Sequence, residues 1–108
     1  MNSEPNVKNA IIKKTFLGIE DHGFTFCLYL KYGSGDQGAG MIALDGDHEV
    51  NAIKLLRKIL EVVGVDKWED LPGRPIRALA SGLKVHAIGH IVEERWVDFQ
   101  TVLVHGVS

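Results

Sequence analysis

Between Phe24 and Tyr32 the chain alternates without a break: Phe24, Phe26, Leu28, Leu30 and Tyr32 fall on one side of an extended segment, Thr25, Cys27, Tyr29 and Lys31 on the other. Side chains of a strand point alternately to its two faces, so this period of two predicts a strand with an apolar face to bury. The next stretch, Gly33-Ser34-Gly35-Asp36-Gln37-Gly38-Ala39-Gly40, holds four glycines in eight residues. Such a run marks backbone that bends or passes close to another group, and ordering it costs entropy, which makes this loop the first place to look for a site. Met41 to Leu44 then reads as a short third strand paired with the second.

Upstream, Lys8 to Glu20 is rich in β-branched and apolar residues, but its alternation fails around Lys13-Lys14, which predicts a strand carrying a bulge. Asp21-His22-Gly23 supplies the turn into the second strand. Downstream, Asp45-Gly46-Asp47-His48-Glu49 opens a helix, and Val50, Ile53, Leu56, Leu60 and Val63 recur at helical spacing, flanked by Ala52, Leu55 and Ile59. Gly64 is placed to stop it. Asp66 and Glu69 have the form of a capping box and predict a short second helix over Lys67 to Leu71, closed by Pro72-Gly73. Ile76 to Ala80 and Leu83 to Val92 read as a hairpin around Ser81-Gly82, with Val85, Ala87, Gly89 and Ile91 on one face and His86, Ile88, His90 and Val92 on the other. Phe99 to His105 is expected to add a last strand. The order predicts an α+β fold: a five- or six-stranded, mostly antiparallel sheet with one long and one short helix on one face.

The 108 residues suffice for one domain, expected over residues 7 to 108 behind a loosely ordered segment 1 to 6. With 12 basic and 14 acidic side chains the net charge of -2 offers no general attraction to nucleic acid or anionic membrane. The polar start of the chain and the lone Cys27 suit a cytoplasmic protein, and no apolar run approaches the roughly 20 residues that span a bilayer.

Residues 33 to 38 have the form G-x-G-x-x-G, but a dinucleotide site needs a helix directly after the glycines, and Met41-Ile42-Ala43-Leu44 is strand-like. Backbone N–H groups in such a loop can still form an anion nest. His86 and His90 suggest a metal pair only on a helix; on a strand they stand about 13 Å apart along the axis. Cys27 lies in an apolar strand and reads as packing rather than nucleophile. Asp45, Asp47, Glu93 and Glu94 are accounted for by capping and solvation. Arginine suits planar contact with phosphate, so Arg57, Arg74, Arg77 and Arg95 remain as anion ligands, with Trp68 anchoring the short helix and Trp96 in a charged stretch. If Arg77 and Arg95 share a sheet end with the glycine loop, an anion pocket forms there.

Four stretches in this order carry a resemblance: Phe16-Leu17-Gly18-Ile19-Glu20-Asp21-His22-Gly23, the loop with Gln37-Gly38, Val62 through Gly73, and Ala87-Ile88-Gly89-His90-Ile91 followed by Trp96. Over residues 7 to 98 the chain resembles a family of small, mostly uncharacterised phage and prophage accessory proteins. The resemblance implies a counter-defence protein of the host cytoplasm, similar in kind to the anti-Thoeris sponges that sequester a nucleotide-derived immune signal. A glycine loop with several arginines fits a non-enzymatic binder of a small nucleotide-like ligand, with Gly35, Gln37, Gly38, Arg77, Arg95 and Trp96 as the residues that touch it. No catalytic residue, metal or cofactor is expected, nor a membrane or extended nucleic acid as partner; a homo-oligomer is. The alternatives are an inhibitor that binds a host defence protein through a sheet edge or helix face, and a small hydrolase using Asp45, His22 or His90.

Overall fold

Everything in the architecture is hung on β1 (Asn6–Glu20), which is antiparallel to β2 (Gly23–Tyr32) along most of its length and to β4 (Pro75–Ser81) along its first half. In this computed structural model, which describes residues 5–21, 23–47 and 49–106, the alternation of β1 breaks where the sequence breaks it. Ile12 lies opposite Leu30 and Lys14 opposite Tyr29, so Lys13 is an extra residue that bends the strand. β3 (Gln37–Ala43) continues from β2, β5 (Lys84–His90) from β4, and β6 (Trp96–Asp98) from β5, giving the sheet order β3-β2-β1-β4-β5-β6. The sheet then meets itself: Ala39 of β3 pairs in parallel with Lys84 of β5, and Ala39 N donates to Leu83 O at 2.9 Å. Strands β1 to β5 thus form a partly closed barrel in the order β1-β2-β3-β5-β4. Helix α1 (Glu49–Val63) links β3 to β4 and packs with α2 (Phe99–His105) against the inner face, where the curled sheet leaves the core open. This connectivity is that of the OB-type Greek-key barrel. The α+β class and the six mostly antiparallel strands agree with the sequence.

Phe26 sits at the centre of the core, edge-on to Phe99 (5.5 Å) and to Trp68 (6.2 Å), whose indole N–H donates to Thr15 Oγ1 at 3.0 Å. The glycine run is divided between two structures. Only Gly33 to Asp36 turns, with Gly35 at φ 98°, while Gly38 and Gly40 are residues of β3 and not of a loop. A Cβ on Gly40 would stand 2.6 Å from the Phe99 ring, and one on Gly38 would overlap the Tyr32 hydroxyl. These glycines are spaces that the core fills with aromatic rings.

Other expectations are corrected. The buried stripe of α1 is Ala52, Leu55, Ile59, Val62 and Val63, whereas Val50 and Ile53 are 82% and 76% exposed. Apolar residues occupy two overlapping stripes of this helix, and contact with α2 selects one of them. Asp66 caps nothing: residues Trp68–Asp70 form a single 3₁₀ turn that follows Lys67, with no side-chain cap. In β5, Leu79 lies opposite Ala87 and Ala80 opposite Val85, so His86 is a bulge and the expected faces fail beyond it, leaving Val85 and Ile88 both in the core. Phe99 to His105 is a helix, not a strand; Phe99, Val102 and Leu103 are buried at helical spacing, Asp98 accepts from Thr101 N at 3.0 Å, and Gly106 ends it at φ 74°. Asn6, expected to be loose, is paired with Ala80, while residues 1–4, His22 and His48 lie outside the described residues.

Two measurements check this packing. Gly40→Ala is expected to lower stability in urea by about 1–3 kcal/mol, because Phe99 is held against Phe26 and cannot yield. The Tyr32 hydroxyl is buried with no hydrogen-bond partner among the described residues, so Tyr32→Phe is expected to raise stability by about 1 kcal/mol.

Candidate functional site on the outer barrel face

Because Phe26, Leu28 and Leu30 are committed to the core, the residues between them point outwards. Cys27, Tyr29 and Lys31 of β2 lie opposite Met41, Ala39 and Gln37 of β3 and share the outer face with them. Ala39 is small, which leaves room beside the Tyr29 ring, and the bond from Ala39 N to Leu83 O brings the tip of the β4–β5 turn up on the far side. Tyr29, Gln37, Gly38, Ala39 and Leu83 together enclose a cleft of about 190 Å³. Leu83 is 74% exposed and forms one apolar wall, Tyr29 the other. From the β1 side Lys14 places its ammonium 4.8 Å from the Tyr29 ring centroid. Lys31 is the cross-strand neighbour of Gln37, and Lys84 that of Ala39. Lys14 is therefore the cation against the ring, while Lys31 and Lys84 stand at neighbouring register positions on the flanking strands, in a chain of net charge -2. Interaction with Cys27 raises the Tyr29 pKa, so the ring carries no charge near neutrality. Such a cleft can hold a planar ring by stacking, orient it through the Gln37 amide and neutralise a phosphate.

Of the residues singled out in the sequence, Gln37 and Gly38 line this cleft and Gly35 lies in the turn that leads to it. Arg77, Arg95 and Trp96 form a separate group on the β4–β5–β6 side. Trp96 lies over Gly89, where a Cβ would be 2.6 Å from the ring, and Arg77 stacks on it at 5.0 Å. The Arg77 guanidinium donates to His90 O and Glu93 O, both at 2.8 Å, and pairs with Glu94 at 2.9 Å. Arg95 pairs with Glu93 at 3.3 Å. Arg77 thus ties down the β5–β6 turn with donors already engaged. Asn9 of β1 separates the two groups, accepting from Gly33 N on one side and pairing with Arg77 on the other.

The two histidines of β5 and Asp45 have local partners. His86 Nε2 is 3.0 Å from Ser81 Oγ, and His90 Nδ1 accepts from Val92 N and Glu93 N. Asp45 accepts from Phe24 N at 3.0 Å and so fastens β2 to the β3–α1 connection. No group of three or more metal-ligating side chains occurs among the described residues. Cys27 is fully buried, and burial pushes its thiol up. Sequence reasoning missed Tyr29, Lys14 and Leu83. The signal was present for Tyr29, an aromatic on the strand face that the core does not use. No helix of the described residues is long and apolar enough to cross a membrane. No protein family matches the sequence, and no curated protein matches it.

Two outcomes follow from these environments. Cys27 is expected to react with a thiol reagent far more slowly in the native protein than in urea, since both burial and a raised pKa suppress the thiolate. Hydrogen bonds from Arg77 first, and then Trp96, hold Glu94 below the usual carboxylate range. Its contribution to stability is complete above about pH 5 and is lost as pH falls through the lowered native pKa. Acid titration of Glu94→Gln should therefore show a shallower stability loss than the wild type.

Proposed function

We propose that this protein is a non-enzymatic binding domain that holds a nucleotide-type ligand in the cleft between Tyr29 and Leu83. The observation that carries this reading is the Tyr29 ring, half-buried on the outer face of β2, with the Lys14 ammonium 4.8 Å from its centroid and the cleft beside it. Barrels of this topology present the outer face of strands 2 and 3 to oligonucleotides and oligosaccharides, which supports the placement by analogy of fold. In the phage setting implied by the sequence resemblance, the ligand is a nucleotide-derived defence signal, and the protein acts by sequestering it. The base stacks on Tyr29, Gln37 bonds to its edge, and Lys14, Lys31 and Lys84 receive the phosphate. A base with an attached phosphate also occurs in single-stranded nucleic acid, so the test must separate the two.

Calorimetry of the full chain against cyclic nucleotides, cyclic ADP-ribose isomers and a short oligothymidylate is expected to give heat with a nucleotide that mass spectrometry then recovers unchanged. Tyr29→Ala should weaken binding by roughly 5- to 150-fold, the worth of one stacked base. Affinity that grows with oligonucleotide length and falls steeply with salt would assign the cleft to single strands instead. Turnover of the nucleotide, or no heat with any of these, would remove the reading.

A further inference from the structure

A second surface lies at the other end of β2, where the strands and α1 run past the barrel. Ile19 pairs across the hairpin with Phe24, and these are 84% and 39% exposed; Val50 and Ile53 project from the outer side of the first turns of α1. Between strand and helix is a groove of about 230 Å³ walled by Phe24, Leu44, Ile53 and Leu56. Scattered exposed apolar residues are ordinary, but a contiguous set around a groove marks a surface that is covered in use. The charge at its edge is one-sided. Asp45 and Glu49 line the groove, Asp21 and Asp47 lie in the adjoining turns, and among the described residues no lysine or arginine lines it. On α1, Arg57 pairs with Glu61 at 3.5 Å, and the Lys54 ammonium lies beside Gly106 at the end of α2. An acidic rim repels nucleic acid and anionic lipid, and it favours a cationic group beside whatever fills the apolar floor.

We propose that this groove is a docking site for a protein segment that presents one large apolar side chain flanked by lysine or arginine. The apolar side chain enters between Phe24 and Ile53, and the cations meet Asp45 and Glu49 at the rim. Asp45 keeps its bond to Phe24 N in this arrangement, since the carboxylate has a second oxygen to offer. The groove lies at the opposite end of β2 from the Tyr29 cleft, shares no lining residue with it and does not depend on its ligand.

The test is selection of random peptides on the immobilised full chain, followed by titration of the selected peptides against wild type, Ile53→Asp, Val50→Asp and Glu49→Lys. These positions are exposed, so circular dichroism is expected to show all three variants folded. The proposal expects selected peptides that combine Leu, Phe or Trp with neighbouring Lys or Arg, at least about tenfold weaker binding to Ile53→Asp, and weaker binding to Glu49→Lys and in high salt. Peptides without a basic residue, or binding indifferent to Ile53→Asp, would overturn it. So would concentration-dependent self-association abolished by Ile53→Asp, which would make a second copy of the chain the occupant.

Discussion

One strand pairing with two partners is the constraint on which the rest of the molecule depends. β1 must serve β2 along its length and β4 along its first half, and a flat strand cannot lead both away in directions that meet again. The extra residue at Lys13 supplies the bend. Past it, the second half of β1 follows β2 and β3 round, while the first half carries β4 and β5, until Ala39 reaches Leu83 and Lys84. That closure sets the Leu83 wall opposite Tyr29, so the candidate site is a product of barrel closure and not of any local motif.

Two glycines of β3 serve this arrangement from the inner side, and Gly89 of β5 does the same for Trp96 on the outer face. Gly38 gives space to Tyr32, Gly40 to Phe99 and Gly89 to Trp96, each on a strand and each at a point where a methyl group would strike a ring. Close packing of those rings fixes the register of β3 against β2. With register fixed, every inward residue of β2 determines an outward neighbour, and Tyr29 lies half-buried on the outer face because Leu28 and Leu30 fill the core. The core and the cleft are two faces of one alternation.

Charge divides the surface in a way that net charge conceals. Lys14 lies against Tyr29, with Lys31 and Lys84 on the neighbouring strand positions, whereas Asp21, Asp45, Asp47 and Glu49 gather where β2 and the start of α1 overhang the barrel. Three of the four arginines, the residues best suited to bind phosphate, are engaged with their own chain: Arg57 with Glu61, Arg77 with the β5–β6 turn and Arg95 with Glu93. A side chain's chemical aptitude is therefore a weaker guide to its role than the partners within its reach.

Much of the fold was legible in the chain. Strict alternation placed β2, its failure at Lys13-Lys14 placed the bulge, and the helical spacing before Gly64 placed α1, because these patterns record burial directly. The errors share a cause. In α1, in β5 beyond His86 and in the segment from Phe99, apolar residues fit more than one pattern, and only contact with a distant element chose between them. The site was half legible: Gln37 and Gly38 stood in the glycine run, but Tyr29 comes from another strand and Leu83 from a turn more than forty residues further on. The sequence by itself determined the core face of β2 and the bend in β1, since there only one pattern fits the side-chain period and polarity. Which exposed residues meet one another was decided only by the closing of β3 on β5, a long-range pairing that no local pattern encodes.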